Sequence, residues 1–292
     1  MGKPGRPRRR TGLHRAAWLY RRCLGAHLRS TLEYEADFWI MSVTAVITQG
    51  IGVIFLWTIF RTIPLINGWK FWDVVLIYSL VVIAEGLSQL FTQGIWNLSW
   101  VVNTGGLDPM LIRPYSPVLQ VLSSEVGMNG LGNMALGTGL FAAAVSHSGV
   151  SWSAWRVALA LVLLVSAALV KIGLNLVTSC AAFWLRTTYS MFPFSMHRLG
   201  ELTRFPLTIY STAVQLVLSI VLPFAFMSFF PATSVLGHGA PVWVGLLTPA
   251  VAAYCLFMGV WIFRLGLRRY ESTGHLGRAC RVCEAGHLRR PG

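Results

Sequence analysis

Charge is what this sequence has least of. Charged residues make up 12% of its 292 positions, against about 25% in soluble domains. Acids are rarer still, ten against 24 lysines and arginines, and only Lys3, Lys70 and Lys171 are lysines. A phosphate-binding loop needs a Gly-rich turn that runs into Lys and then Ser or Thr, because backbone N–H groups and the ammonium together cradle the phosphates. None of the three lysines has that context, so the chain is not expected to hydrolyse ATP. The HExxH pattern of a zinc peptidase is missing, as is a nucleophile with a nearby base or a pair of acids on facing spans. Cysteine is sparse: Cys23, Cys180, Cys255, Cys280 and Cys283 offer no framework of extracellular disulfides. Solenoid-type repeats are absent. No cleavable signal peptide is expected, because a basic leader of more than 30 residues precedes the first apolar run.

What the sequence has in abundance is apolar length. Hydrophobic residues make up 55% of the chain, gathered in runs longer than the 18 or so residues that mark a membrane span. The fold expected is an all-α membrane protein of six transmembrane helices with an N-terminal amphipathic connector helix. Residues 1–12 read as a disordered basic tail. Residues 13–36 place Leu13, Ala17, Tyr20, Leu24, Leu28 and Leu32 on one face, with Arg15, Arg21, Arg22 and Arg29 mostly elsewhere. Such a helix suits the membrane interface, the alternative being a solvated helix with an ordinary apolar stripe. The transmembrane domain is expected over 37–266, with spans at 38–60, 71–93, 118–146, 154–185, 207–230 and 241–263, followed by a basic tail, 267–292. Tryptophans, among them Trp39, Trp69, Trp72, Trp155 and Trp243, gather near the span ends, as interfacial belts do. The third span is rich in small residues, with Ala135, Gly139 and Ala143 at small-xxx-small spacing. That pattern suits either an internal packing face or a subunit interface.

Lysine and arginine give the orientation. Of the 24, twenty fall on the side that holds both tails and the loops after the second and fourth spans, and three on the other side. Both termini are therefore expected in the cytoplasm, in a multi-pass protein of the inner (plasma) membrane. The formal charge of +14 is an orientation signal rather than a nucleic-acid footprint, so no nucleic-acid partner is expected.

Glu85, Glu125 and Lys171 fall inside expected spans at similar depth. Ionisable residues are costly in lipid and face a partner or a wet cavity. Lys171 is expected to pair with Glu85 or Glu125, either as a structural tie between helices or as a polar patch along a substrate route. The tail offers His275, Cys280, Cys283 and His287, a weak zinc candidate whose spacing is not that of a standard finger, against a plain basic tail.

The loop between the second and third spans is the most specific element. Residues 105–117 read GGLDPMLIRPYSP: apolar residues at helical spacing, one acid, one Arg, and prolines at the bounds. LDPMLIRPYSPVLQ resembles a segment of prokaryotic ABC-2-type permeases, the membrane subunits of ABC exporters. The likeness extends to YEADFW at 34–39 and to RFPLTIY…LPFAFMSFFPA at 204–232, and covers most of residues 20–265. The resemblance implies a short coupling helix in this loop that docks in a groove of a separate ATP-binding subunit, where ATP and Mg would be held. Leu107, Met110, Leu111 and Ile112 would be its contacts. Asp108 would favour the helix start, and Arg113 would reach an acidic partner or a lipid phosphate. The resemblance also implies a second permease, as homodimer or heterodimer, and export. No cofactor is expected in this chain. Few charges along the route suit a small amphipathic or lipophilic substrate. The alternative is an ion-coupled secondary transporter that uses Glu85, Glu125 and Lys171.

Overall fold

The computed structural model describes residues 12–32, 35–113, 115–148, 153–185 and 189–271. Among them there is no β-strand beyond one isolated bridge, Ile66 to Trp69, in the turn between the first two long helices. A basic helix, α1 (Gly12–Leu32), leads into α2 (Glu35–Thr62). Next come α3 (Phe71–Thr92), a 3-10 segment (Gln93–Asn97) and α4 (Leu98–Asn103), together one apolar rod. The loop holds the single turn α5 (Asp108–Leu111), and α6 (Pro117–Leu122) follows. Two long helices, α7 (Asn129–His147) and α8 (Ala154–Ser179), come next, then α9 (Met191–Glu201). The last third holds α10 (Thr212–Leu216), α11 (Phe229–Leu236), α12 (Val242–Leu246) and α13 (Thr248–Leu267).

Among the described residues, four helical stretches are long and apolar enough to cross a membrane: 36–62, 71–103, 154–183 and 242–267. The second is the hub. From Val74 to Gly86 every residue of α3 is buried, among them Leu76, Ile77 and Val82. Around it, α2 turns only the stripe Ser42, Ala45, Gln49, Leu56 and Phe60 inward and leaves its other faces exposed. The antiparallel crossing of α3 and α7 is close because both lack side chains there. A Cβ on Gly86 would sit 2.8 Å from the Gly130 carbonyl oxygen, and a Cβ on Gly130 would sit 2.8 Å from that of Gly86. Further along, Gly137 makes room for Ile83. The inward small residues of α7 are thus a packing face, whereas Ala135 and Gly139 point outward. Helices α8 and α13 run side by side in the same direction, Gly173 against Cys255 and Phe183 edge-on to Phe263 with ring centres 5.3 Å apart.

Two expected spans take a different form. The third is broken. Residues 118–122 lie in α6, the chain opens at 123–128, and the helix resumes at Asn129. In the gap the Gly127 N–H turns to the Gln89 carbonyl of α3. Asn129, Asn133, Thr138 and four glycines also leave α7 less apolar than the four long rods. The fifth is displaced. Residues 207–230 do not form one helix: α10 runs into a π turn, Val217–Val221, and stops at Leu222–Pro223. Pro223 has no N–H to donate and its ring would meet the Ser219 carbonyl, so Leu222 turns extended (φ −124°, ψ 90°). The stretch that runs the length of α3 is instead 191–209. At one end Ser190 donates to the Trp96 carbonyl (2.7 Å), and at the other the Trp69 indole N–H donates to the Thr208 hydroxyl (2.9 Å). Trp69 is accordingly buried rather than a member of an interfacial belt.

Candidate functional site

The loop after α4 is held from three sides. Leu107 is fully buried, in a cluster with Leu98, Val102 and Val118. Asp108 Oδ1 accepts a hydrogen bond from the Tyr270 hydroxyl (2.9 Å), which ties the loop to the end of α13. Burial, and then Asp108 itself, push the Tyr270 phenol up to about 12, so it stays a donor across the physiological range. From below, Gln120 Nε2 donates to the carbonyls of Met110 (2.8 Å) and Tyr115 (2.9 Å). What the pinned loop presents is Leu111 (43% exposed) and Ile112 (84% exposed), with Arg113 beside them and Met110 half-buried. The expectation that Leu107 is a contact residue is corrected: it is the anchor, because the turn that exposes Leu111 and Ile112 points Leu107 into the core. Asp108 both opens the turn, ahead of Pro109, and accepts the tether from α13.

The second constellation lies on α3, α8 and α9. Lys171 Nζ stands 2.8 Å from Glu85 Oε2, and both side chains are buried. Lys171 also lies 2.8 Å from His197 Nδ1. An ammonium has only donors, so His197 Nδ1 is the acceptor and the ring proton sits on Nε2, on the side of Glu201 (3.9 Å). Glu201 in turn holds Arg198 and Arg204, each at 2.9 Å. In the other direction Gln89 Nε2 donates to Glu85 Oε1 (3.0 Å), and Asn133 Nδ2 donates to Gln89 Oε1 (2.7 Å). One polar chain therefore runs from α9 through α8 and α3 to α7.

The two alternatives for Lys171 are resolved by this geometry: Glu85 is its partner. Glu125 lies elsewhere, exposed in the break between α6 and α7 rather than within a span, where it accepts from Asn97 Nδ2 (2.5 Å). The break carries it out of line with Lys171. His275, Cys280, Cys283 and His287 lie outside the described residues. Among the described residues no group of three or more His, Cys, Asp and Glu side chains is placed to hold a metal. Sequence reasoning missed His197, Glu201 and Arg204 because it put 186–206 in a loop. It missed Gln89 and Asn133 because it searched for ionisable residues only. A signal existed for these two: Glu85, Gln89 and Gln93 repeat every four residues along α3 and into its 3-10 extension, as Asn129 and Asn133 do on α7, and such spacing puts helical residues on one face.

Residues 46–274, well over half of the chain, match the family described as ABC-2 family transporter protein. The chain belongs to this family. Comparison with curated proteins and with solved structures gives no match. Family membership and the apolar rods make it a multi-pass transmembrane component of an ABC transporter, a class that transports rather than catalyses and that generally works with an ABC ATPase subunit.

Proposed function

We propose that the chain is the membrane-spanning permease subunit of an ABC exporter and that the 105–117 loop couples it to a separate ATPase. The observation that carries this reading is the pinned loop. A short knob fixed by Leu107, Tyr270 and Gln120 and tipped by Leu111 and Ile112 transmits a push as a rigid body, as docking into a groove requires. ATP-driven closure of the partner subunits would move the knob, and with it α4, α6 and the end of α13. That push would bias a two-state arrangement of the helices. Six crossings are compatible with the packing: α2, α3, α7, α8, 191–209 and α13, with α1 along the inner interface. Taking Arg198 and Arg204 out of the inner loops leaves the basic excess on the side of the tails, so both termini are assigned to the cytoplasm of a cell-membrane protein. The outward faces of α2 meet lipid or a second permease, and the substrate is a small amphipathic or lipophilic molecule.

The ion-coupled reading has one observation in its favour, the buried Glu85–Lys171–His197 cluster. It requires transport by the chain without any ATPase. The test is affinity purification of the tagged chain in mild detergent, with partners identified by mass. Recovery of an ATP-binding subunit, lost in Leu111→Asp with membrane insertion intact, supports the proposal. A chain recovered without an ATPase, under conditions that preserve a known transporter complex, overturns it.

A further inference from the structure

A cavity of about 500 Å3 opens between the first half of α2, the junction of α3 with its 3-10 extension, and the α6–α7 break. Its size is that of a small-ligand site, roughly 300–1,000 Å3. Three polar pairs at four-residue spacing meet there: Thr44 and Thr48, Gln89 and Gln93, Asn129 and Asn133. Polar lining at this position in an apolar bundle asks for a partner.

The sign of that lining follows from the ion pair. Lys171 fixes Glu85 as a carboxylate acceptor, so Gln89 must turn its amide N–H to Glu85 and its oxygen to Asn133. Asn133 must then give its N–H to Gln89, which leaves its oxygen over. Asn133 is 3% exposed, and Oδ1 has no hydrogen-bond partner among the described residues. Gln93 Oε1, also buried, has none either. Gly127 keeps space beside Gln93: a Cβ there would lie 2.8 Å from Gln93 Oε1 and 2.9 Å from Asn129 Oδ1. The exposed carboxylate of Glu125 stands at the same wall. Thr48 gives its proton to the Thr44 carbonyl (2.8 Å), so its lone pairs face outward. Gln49 turns the other way: its oxygen takes the Tyr78 hydroxyl (3.0 Å), which leaves an N–H donor, and Gln93 and Asn129 bring amide N–H groups as well as their oxygens.

We propose that this cavity, with one exposed carboxylate and two unpartnered amide oxygens at its wall, is a binding site for the primary ammonium group of an amphipathic amine. Glu125 supplies the charge. The orphaned amide oxygens of Gln93 and Asn133 take N–H donors once the terminal amide of Gln93, packed against Gly127, swings toward the cavity. Exposed Ile40 and Met41 of α2 line the same cavity and meet the alkyl part. The amine is either a transported substrate or the ethanolamine headgroup of a lipid. In the first case the proposal rests on the permease reading and names its substrate class.

The test is saturable binding of octylamine to the purified full chain in phosphatidylcholine nanodiscs, with octanol and octyltrimethylammonium as probes that lack the charge or the N–H donors. Expected is saturable binding of octylamine only, weakened about tenfold or more in Glu125→Gln and in Gly127→Ala. Gly139→Ala, on the outward face with open space beyond, should bind like the parent. Competition by added phosphatidylethanolamine assigns the site to a lipid headgroup, and its lack assigns it to a free amine. Either result upholds the ammonium chemistry. Non-saturable uptake, equal binding of octanol, or full binding by both Glu125→Gln and Gly127→Ala overturns it. No ATPase takes part, so this failure is separate from failure of the coupling reading, which the co-purification measures.

Discussion

Replacing Lys171 by Met should cost more stability than deleting the pair altogether. The ammonium is 2% exposed and lies 2.8 Å from a carboxylate that is itself 8% exposed. Removing one member of such a pair leaves the other buried and uncompensated, at a cost of about 3–5 kcal/mol, whereas replacing both with groups of similar volume is often neutral. Lys171→Met leaves Glu85 with only Gln89 as donor and His197 Nδ1 at 3.9 Å. Glu85→Gln leaves the ammonium facing an amide and His197. In the double variant, Glu85→Gln with Lys171→Met, the introduced amide can donate to His197 Nδ1 in place of the lost ammonium. The coupling between the two substitutions should therefore be about 5 kcal/mol or more, beyond the roughly 0.5–3 kcal/mol usual for residues in direct contact, because each single variant leaves a buried charge unpaired.

The assay is thermal unfolding of the purified chain in detergent. At roughly 2–4 °C per kcal/mol for chains of comparable size, each single variant should fall by on the order of 10 °C and the double variant should recover most of the loss. The exchanged pair, Glu85→Lys with Lys171→Glu, should recover likewise, because the salt-bridge distance does not depend on which helix carries the acid. Single variants that unfold with the parent would show that the pair is not buried as described. A double variant whose loss equals the sum of the two singles would refute the pairing.

The proposed docking knob separates two leucines one helical turn apart. Leu111→Asp should abolish recovery of an ATP-binding subunit with little change in unfolding temperature, whereas Leu107→Asp, at a fully buried site, should lower the amount of folded protein recovered. Tyr270→Phe removes the tether to Asp108 without altering the knob's surface, a loss of roughly 1.5–3 kcal/mol in loop fixation. Limited proteolysis should then cut within 104–113 faster than in the parent. Gly130→Leu drives a side chain into the Gly86 carbonyl and Leu90 and should prevent α3 and α7 from closing. A trypsin-resistant, monodisperse Gly130→Leu chain would contradict that packing.

Apolar length made the four long rods legible, since α2, α3, α8 and α13 are continuous runs with no break stronger than their hydrophobicity. The other two stretches were harder because two signals compete in them. Residues 118–146 read as one run, but the helix opens at 123–128, where the Gly127 N–H bonds to the Gln89 carbonyl of another helix. Periodicity within one segment does not report a donor claimed from outside it. Residues 191–209 carry His197, Arg198, Glu201 and Arg204, and that polarity outweighed everything else in a reading by hydropathy. They lie along α3 because the charges satisfy one another: Glu201 holds both arginines, and Lys171 holds His197. The loop motif was legible in residue types but not in direction. Leu107 and Leu111 are one helical turn apart, and only the fold decides which of them is the anchor.

The polar chain also links stability to ligand sign. Each amide between Glu85 and the cavity has one orientation that satisfies its neighbour, and the ion pair sets the first. With the pair exchanged, the ammonium stands on α3 and the carboxylate on α8. Gln89 would then turn its oxygen to the ammonium and its N–H to Asn133. Asn133 would answer with its oxygen and leave its N–H over in place of the orphaned acceptor. His197 would move its proton to Nδ1 to meet the new carboxylate. Pair exchange is thus expected to restore the unfolding temperature while it weakens octylamine binding, although no residue of the cavity wall has been changed. A purely structural tie gives the first effect without the second. Measuring both on one variant separates a chain of oriented hydrogen bonds from three helices that merely share a buried charge pair.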